Sequence, residues 1–353
     1  MPRSRPSPRS PLAPLPPLSR RAFLGAGATL GAGGMLAACG DDKGDGGNSS
    51  QQGGPWAFKD DRGETARAGS RPRRIVAYIG AAAALHDFGI ECTGVFGPTK
   101  LKNGDPDVQA AGVDVDKVTV IGNAWGQFSI EKYAGLRPEL LVSTMNVSPT
   151  LWYVPEESTD KILPIAPSVG ILTGKTTLTK AIGRFAELAE SLGADPRATK
   201  VTAAKKRFED ASERLRKAAG AAKSRGGVKV LAMAAQADRM YVGDPRDFTD
   251  LRHYSDLGVE FVTPTGTAKG GFFQDLSWEN ADRYEADLIL VDKRTGNLQP
   301  AELRKSKPTW ARLPAAESDQ VIPWFNEARF SHAGYAPLIE RLAKAIEDSK
   351  KVA

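Results

Sequence analysis

The stretch Ser129-Ile130-Glu131-Lys132-Tyr133-Ala134-Gly135-Leu136-Arg137-Pro138-Glu139-Leu140-Leu141-Val142 sets a short helix directly before a strand. Ser129 is a candidate N-cap, because its hydroxyl can accept from an orphan amide of the first turn. Glu131 stands in that turn, where the helix dipole favours a negative charge. Pro138 closes the helix, since proline has no amide to donate. Glu139 to Ser143 then runs extended and apolar. The same order returns far downstream, where Ser277-Trp278-Glu279-Asn280-Ala281 precedes Asp287-Leu288-Ile289-Leu290-Val291. The chain therefore reads as two halves built on one plan.

Working outward from residue 129, strands are expected at 74–78, 95–96, 118–121, 139–143 and 162–166. Helices are expected at 81–88, ended by Gly89, and at 129–136. Such alternation indicates an α/β fold with a largely parallel sheet. Residues 177–192 place Ile182, Phe185, Leu188, Ala189 and Leu192 at three- and four-residue spacing, with Gly193 as C-cap. Asp195-Pro196 then opens a second helix to about Lys223, roughly 28 residues and roughly 42 Å long. Its Lys, Arg and Glu outnumber its apolar residues, as suits a helix that bridges two domains through water. After Gly226-Gly227 the alternation restarts. Strands are expected at 228–234, 239–242, 259–262 and 287–291, helices at 248–257 and 278–284, and a closing amphipathic helix at 336–349. The expected division is a first lobe at 72–195, a connecting helix at 196–225 and a second lobe at 226–353.

The N-terminus has a separate character. Ser19-Arg20-Arg21-Ala22-Phe23-Leu24 precedes an apolar run that ends in Leu36-Ala37-Ala38-Cys39. A basic start, a short apolar core and small terminal residues make an export signal, 1–38. The paired arginines resemble a twin-arginine signal, and Leu-Ala-Ala-Cys is similar to a bacterial lipobox. That resemblance implies cleavage before Cys39, a lipid on its sulfur, and a place on the outer face of the cytoplasmic membrane. Residues 40–54 contain no apolar side chain and read as a flexible tether, with 39–71 as lipidated Cys and tether together. The net charge of +6 includes five arginines and no acid in the first 38 residues, so the chain from Cys39 onward carries +1. The charge thus argues for no nucleic-acid partner. With Cys39 lipidated, Cys92 has no disulfide partner and reads as an inert, buried thiol.

Three segments together resemble a known family. The run Ser129 to Val142 is similar to the first-lobe signature of bacterial ABC-importer binding proteins for ferric siderophores and vitamin B12. Arg137 and Glu139 replace the commoner Lys and Asp there. Leu276-Ser277-Trp278-Glu279 resembles the second-lobe counterpart, and Pro308-Thr309-Trp310-Ala311-Arg312-Leu313-Pro314-Ala315 a recurrent late segment. The likeness covers about residues 72–347. It implies two Rossmann-like lobes joined by one long helix, with the ligand cleft between them. It also implies a monomer that serves an ABC permease dimer and its ATPase. Glu131 and Glu279 match the acids that pair with permease arginines. The ligand implied is a ferric siderophore that brings its own iron ligands, so no cofactor is needed and the protein coordinates no metal itself.

Ligands of open α/β sheets sit beyond the carboxyl ends of strands. The loops there hold Trp125, Trp152-Tyr153, residues 236–239, residues 292–294 and residues 324–329. Trp125, Trp152, Tyr153, Trp278, Trp324 and Tyr335 are the aromatic candidates for the cleft, and Arg239 and Arg329 the candidate donors to chelate oxygens. Scattered arginines among many aromatics suit a neutral or weakly cationic ferric hydroxamate, such as a ferrioxamine-like chelate, better than a strongly anionic catecholate. A haem or cobalamin cargo is the alternative, and for haem Tyr153, Tyr335 or His332 could serve as axial ligand. A bare metal ion would need a His cluster, and of His86, His253 and His332 only His332 is expected in a cleft loop. No Gly-x-Ser-x-Gly, His-Glu-x-x-His or Cys-x-x-Cys motif suggests an enzyme. Gly170-Ile171-Leu172-Thr173-Gly174-Lys175-Thr176 is one residue short of a phosphate loop and reads as a turn before a helix.

Overall fold

The computed structural model describes residues 54–267 and 271–353. The expected signal, Cys39 and the polar run up to residue 53 lie outside the described residues. The chain begins with a hairpin, β1 (Trp56–Lys59) and β2 (Thr65–Ala68), paired antiparallel. Its turn is built on Asp60, which is 5% exposed and accepts from the amides of Arg62 (2.9 Å), Glu64 (3.2 Å) and Gly170 (2.9 Å). Arg184 meets Asp61 at 2.9 Å, and the Trp56 indole donates to Ser191 at 3.2 Å. Residues 56–68 therefore belong to the first lobe. This corrects the expected tether, which ran to residue 71.

The first lobe continues through β3 (Ile75–Tyr78), α1 (Ile79–Phe88), β4 (Gly94–Phe96), β5 (Thr119–Gly122), α2 (Ile130–Gly135), β6 (Leu140–Met145), α3 (Thr159–Ile162), β7 (Ser168–Leu172) and α4 (Leu178–Ser191). Ser129 caps α2 by accepting from the Lys132 amide, and Thr177 caps α4 through the Lys180 amide, each at 3.3 Å. The sheet order is β5-β4-β3-β6-β7, all parallel. The strand expected at 162–166 is helical turn instead, with Pro164 in it, and the strand follows at 168–172. Gly170 to Leu172 is thus strand rather than turn.

The connecting helix α5 (Thr199–Ser224) has 26 residues. One face buries Phe208, Ala211, Leu215, Ala218 and Ala222, and the other is solvated. The second lobe comprises β8 (Lys229–Ala235), β9 (Arg239–Gly243), α6 (Thr249–Asp256), β10 (Glu260–Phe261), β11 (Phe273–Ser277), β12 (Leu288–Asp292), α7 (Pro300–Ser306), α8 (Pro308–Ala311), α9 (Pro314–Glu317), β13 (Val321–Trp324) and α10 (His332–Asp348). Its sheet runs β11-β9-β8-β12-β13. Strands β8, β12 and β13 are parallel, while β9 and β11 add an antiparallel edge. The second-lobe helix expected at 278–284 is one 3-10 turn, Trp278–Asn280. Helix α10 lies along α5, joined by Arg207–Glu340 and Arg214–Glu347, each at 2.6 Å. Among the described residues, no helix is long and apolar enough to cross a membrane.

Candidate functional site

In the first sheet the chain runs outward from β3 to β4 and β5, then returns to place β6 on the other side of β3. The crevice beyond the carboxyl ends of β3 and β6 is the topological switch point where such sheets bind ligands. A cavity of about 370 Å³ lies there, lined by Tyr78, Thr144 and Trp152 from the first lobe and by Phe248, Phe272 and Phe273 from the second. It therefore opens between the lobes, as the family resemblance implied.

Tyr78 ends β3. A side chain at Gly80 or Gly97 would put its Cβ 2.9 Å or 2.8 Å from the Tyr78 ring, so both glycines make room for it. Tyr153 stacks on the same ring, with centroids 5.4 Å apart. Its φ of 61° is costly for a bulky residue. The Trp152 loop is held to β6 from both sides. Ser143 donates to the Trp152 carbonyl at 2.7 Å, and the Trp152 amide donates to the Thr144 carbonyl at 2.8 Å. Trp125 packs on Trp152 and Tyr153 at 5.0 and 5.1 Å and is 61% exposed, so it forms the rim of this cluster.

The polar centre of the cleft is Glu327, in the loop after β13. Its Oε2 accepts from the Tyr78 hydroxyl (2.8 Å), the Trp152 indole (3.3 Å) and the Gln109 amide, all of the first lobe. Its Oε1 accepts from Arg294 of the second lobe. Arg294 also donates to Asp292 at 2.7 Å. Burial works against the Arg294 charge, but the carboxylates of Glu327 and Asp292 outweigh it and hold its pKa above the ordinary value. Burial first, and then the Glu327 charge, push the Tyr78 phenol well up, so it stays a donor. Further links cross between the lobes. Thr295 donates to Asp107, Thr249 donates to the Thr173 carbonyl, and the Lys175 amide donates to the Asp247 carbonyl at 2.9 Å.

Of the expected site residues, the structure gathers Trp125, Trp152 and Tyr153 in one aromatic cluster, of which Trp152 lines the cavity and the other two pack beside it. The others are placed elsewhere. Trp278 is buried in the second-lobe core, its indole donating to the Gln236 carbonyl at 3.1 Å. Trp324 is 2% exposed and lies behind the aromatic wall, donating to Asp250 at 2.7 Å and packing on Phe248 at 4.8 Å. Tyr335 is fully buried on α10. Arg239 is an exposed residue at the start of β9, near Asp275, and does not line the cavity. Arg329 pairs with Asp87 of the first lobe and joins lobe to lobe instead of facing the cavity. His332 begins α10 edge-on to Phe208 at 5.3 Å, outside the cavity lining. Among the described residues, no three His, Cys, Asp or Glu converge to hold a metal ion.

Residues that sequence reasoning missed include Tyr78, Gln109 and the three phenylalanines. Arg294 and Glu327 lay in loops singled out for attention, but neither was itself chosen. Glu131 and Glu279 are exposed in the first turns that follow β5 and β11, the edge strands of the two sheets. Neither has an ion-pair partner among the described residues. Backbone and Ser277 hydrogen bonds hold the Glu279 carboxyl below the usual range.

Two α/β lobes, a single long connecting helix and an interlobe cavity define a bilobal binding protein. A family model for periplasmic binding proteins matches residues 78–328, and the chain belongs to that family. Its members are the solute-binding proteins of importers, not enzymes. The crystal structure of DesE, a ferric-siderophore receptor protein from Streptomyces coelicolor, is similar at 49% identity, with a TM-score of 0.81. The match covers 84% of this chain and 100% of that one. Staphylococcus aureus SirA, solved with staphyloferrin B, shares the fold at 20% identity and a TM-score of 0.58, over 83% of this chain and 99% of that one. The Fe(3+)-citrate-binding protein YfmC of Bacillus subtilis (strain 168) is 21% identical over 263 residues, 74% of this chain and 76% of its own.

Proposed function

We propose that this protein is the extracytoplasmic solute-binding component of an ABC importer, and that it captures a ferric siderophore of the hydroxamate type between its lobes. The observation that carries this reading is an aromatic interlobe cavity whose lining arginine is already neutralised. Arg294 and Lys175 bring two positive charges to its surroundings, and Asp292, Glu327 and Asp247 bring three negative ones. A strongly anionic catecholate chelate would find no surplus of cations there, whereas a neutral chelate with apolar arms suits the aromatic walls. The likeness to a ferric-siderophore receptor supports the same class of cargo. Lipidation at Cys39 would tether the protein to the outer face of the membrane. Exposed Glu131 and Glu279, one on each lobe, would orient it on a two-fold permease.

Quenching of tryptophan fluorescence tests the cargo, with Trp125 and Trp152 at the cleft as reporters. Ferrioxamine, ferrichrome, a ferric catecholate, haem, cobalamin and free metal ions are titrated in turn. Saturable submicromolar quenching by a hydroxamate is expected. A response to haem or cobalamin alone would change the cargo, and one to bare metal alone would overturn the siderophore reading. Membrane fractionation of Cys39→Ala, expected to release the protein, tests the anchor.

A further inference from the structure

The Arg294–Glu327 pair separates two cavities. Both residues line the main cleft, and both line a second cavity of about 140 Å³ beside Val108, Phe325 and Leu338. The side chains are 26% and 14% exposed, so the pair is a partly desolvated partition in which charge is weakly screened. Asp292 is fully buried beneath it, and its two oxygens take the Arg294 Nε–H at 3.2 and 2.9 Å. One carboxylate thus holds the guanidinium from below and another from the first-lobe side.

We infer that Glu327 sets the charge class of the cargo by masking Arg294, so that the cleft turns away anionic ferric chelates that an uncovered guanidinium would hold. Guanidinium is the natural partner of a carboxylate or catecholate oxygen, with planar N–H groups that meet oxygen pairs. Here Asp292 and Glu327 take Nε and one N–H on each terminal nitrogen, three of the five donors, and their two charges balance the guanidinium. A carboxylate also stands where an anionic ligand would approach, and like charges juxtaposed in an interface cost affinity. This inference rests on the reading of the protein as a chelate-binding importer component. It goes further in assigning discrimination among chelates to one residue.

The test uses the full chain in detergent and three probes: a neutral ferric trihydroxamate, an anionic ferric tricatecholate, and citrate without iron. The quantity read is the ratio of anionic to neutral affinity. Glu327→Gln is expected to raise it about tenfold or more, with Glu327→Ala as a second variant that uncovers the same guanidinium should the first not fold. Adding Arg294→Gln is expected to abolish the gain. Asp247→Asn removes a negative charge from the same cavity without uncovering Arg294, and is expected to shift the ratio less. A gain that survives loss of Arg294, or that Asp247→Asn matches, would overturn masking in favour of a general charge effect. Wild type silent to both chelates would sink the siderophore reading, and citrate then decides the masking separately. Citrate binding by Glu327→Gln but not by wild type upholds it, and no citrate binding by either overturns it.

Discussion

Arg329, in the loop before α10, forms an ion pair with Asp87, near the end of α1, and so joins the second lobe to the first. The two side chains are 23% and 12% exposed. The same carboxylate accepts from Ser331, whose hydroxyl caps α10 by taking the Gly334 amide at 2.9 Å. One acid of the first lobe therefore organises the start of a second-lobe helix. Removing it leaves a half-buried guanidinium without its anion, which is costly. Asp87→Ala is expected to lower the unfolding free energy by about 3 kcal/mol in urea denaturation. A loss within the range of exposed ion pairs, below about 1 kcal/mol, would show that solvent already screens the pair.

The tryptophans should divide by location. Trp125→Ala removes an exposed ring and is expected to leave the melting temperature unchanged while weakening chelate binding by up to about tenfold. Trp278→Ala opens a hole in the second-lobe core and is expected to cost about 3–5 kcal/mol of stability. Its folded fraction should bind chelate with wild-type affinity. Calorimetric binding and thermal melts on both variants check the contrast, and a binding defect confined to Trp278→Ala would invert the assignment.

Asp250 sits behind the cleft with its carboxyl pushed up to about 7, by burial first, while the Trp324 indole bond pulls the other way. Its ordinary value is about 3.9. Below about pH 4 the group is protonated in both folded and unfolded chains, and its contribution to stability is complete. As pH rises through about 7 the folded protein loses a proton it held more tightly than the unfolded chain, and stability falls. The decline is on the order of 4 kcal/mol between those limits. Asp250→Asn should flatten this part of the stability profile, as read by denaturation at pH 4 and pH 8. An unchanged slope would assign the pH dependence to other groups.

Glu131 and Glu279 are exposed and lie on separate lobes. Reversing both to lysine should leave chelate affinity and melting temperature as they were, and should reduce iron uptake in cells by about tenfold if they meet permease arginines. Unimpaired uptake by the double variant would return both to the role of helix-start acids.

Cys92 is a free, half-buried thiol whose pKa is pushed up to about 12, by burial first and by the Glu91 charge second. Little thiolate exists at pH 8, so alkylation of the native protein should be slower than that of the urea-unfolded chain by orders of magnitude. Equal rates would mean that the thiol opens freely to solvent.

The sheets and the spanning helix were legible because their signals are local and long. Helix α5 starts three residues after its expected beginning and ends one residue after its expected end. The hairpin at 56–68 was hidden because its strands are four residues each and follow a polar run. Strand β11 was missed because Gln274, Asp275 and Ser277 dilute the apolar pattern at a sheet edge. The cleft was half legible. Trp152 and Tyr153 announced themselves as loop aromatics, but so did Trp278 and Trp324, and burial alone separates the two kinds. Glu327 lies in the strand-end loop 324–329, but nothing local sets it apart from its neighbours there. Its role arises because Tyr78, Gln109 and Trp152 converge on it from 249, 218 and 175 residues away.

Among the described residues the backbone passes from one lobe to the other once, through α5. Each lobe is thus an unbroken length of polypeptide, and the covalent joint stands apart from the surfaces that meet at the cargo. Recombination at the ends of α5 would exchange a whole half of the cleft without rethreading the chain. The network at Glu327 would then act as the compatibility test, since a foreign lobe must supply three donors at the right places. A lineage can explore new cargo by drifting one half at a time, provided that handshake is kept.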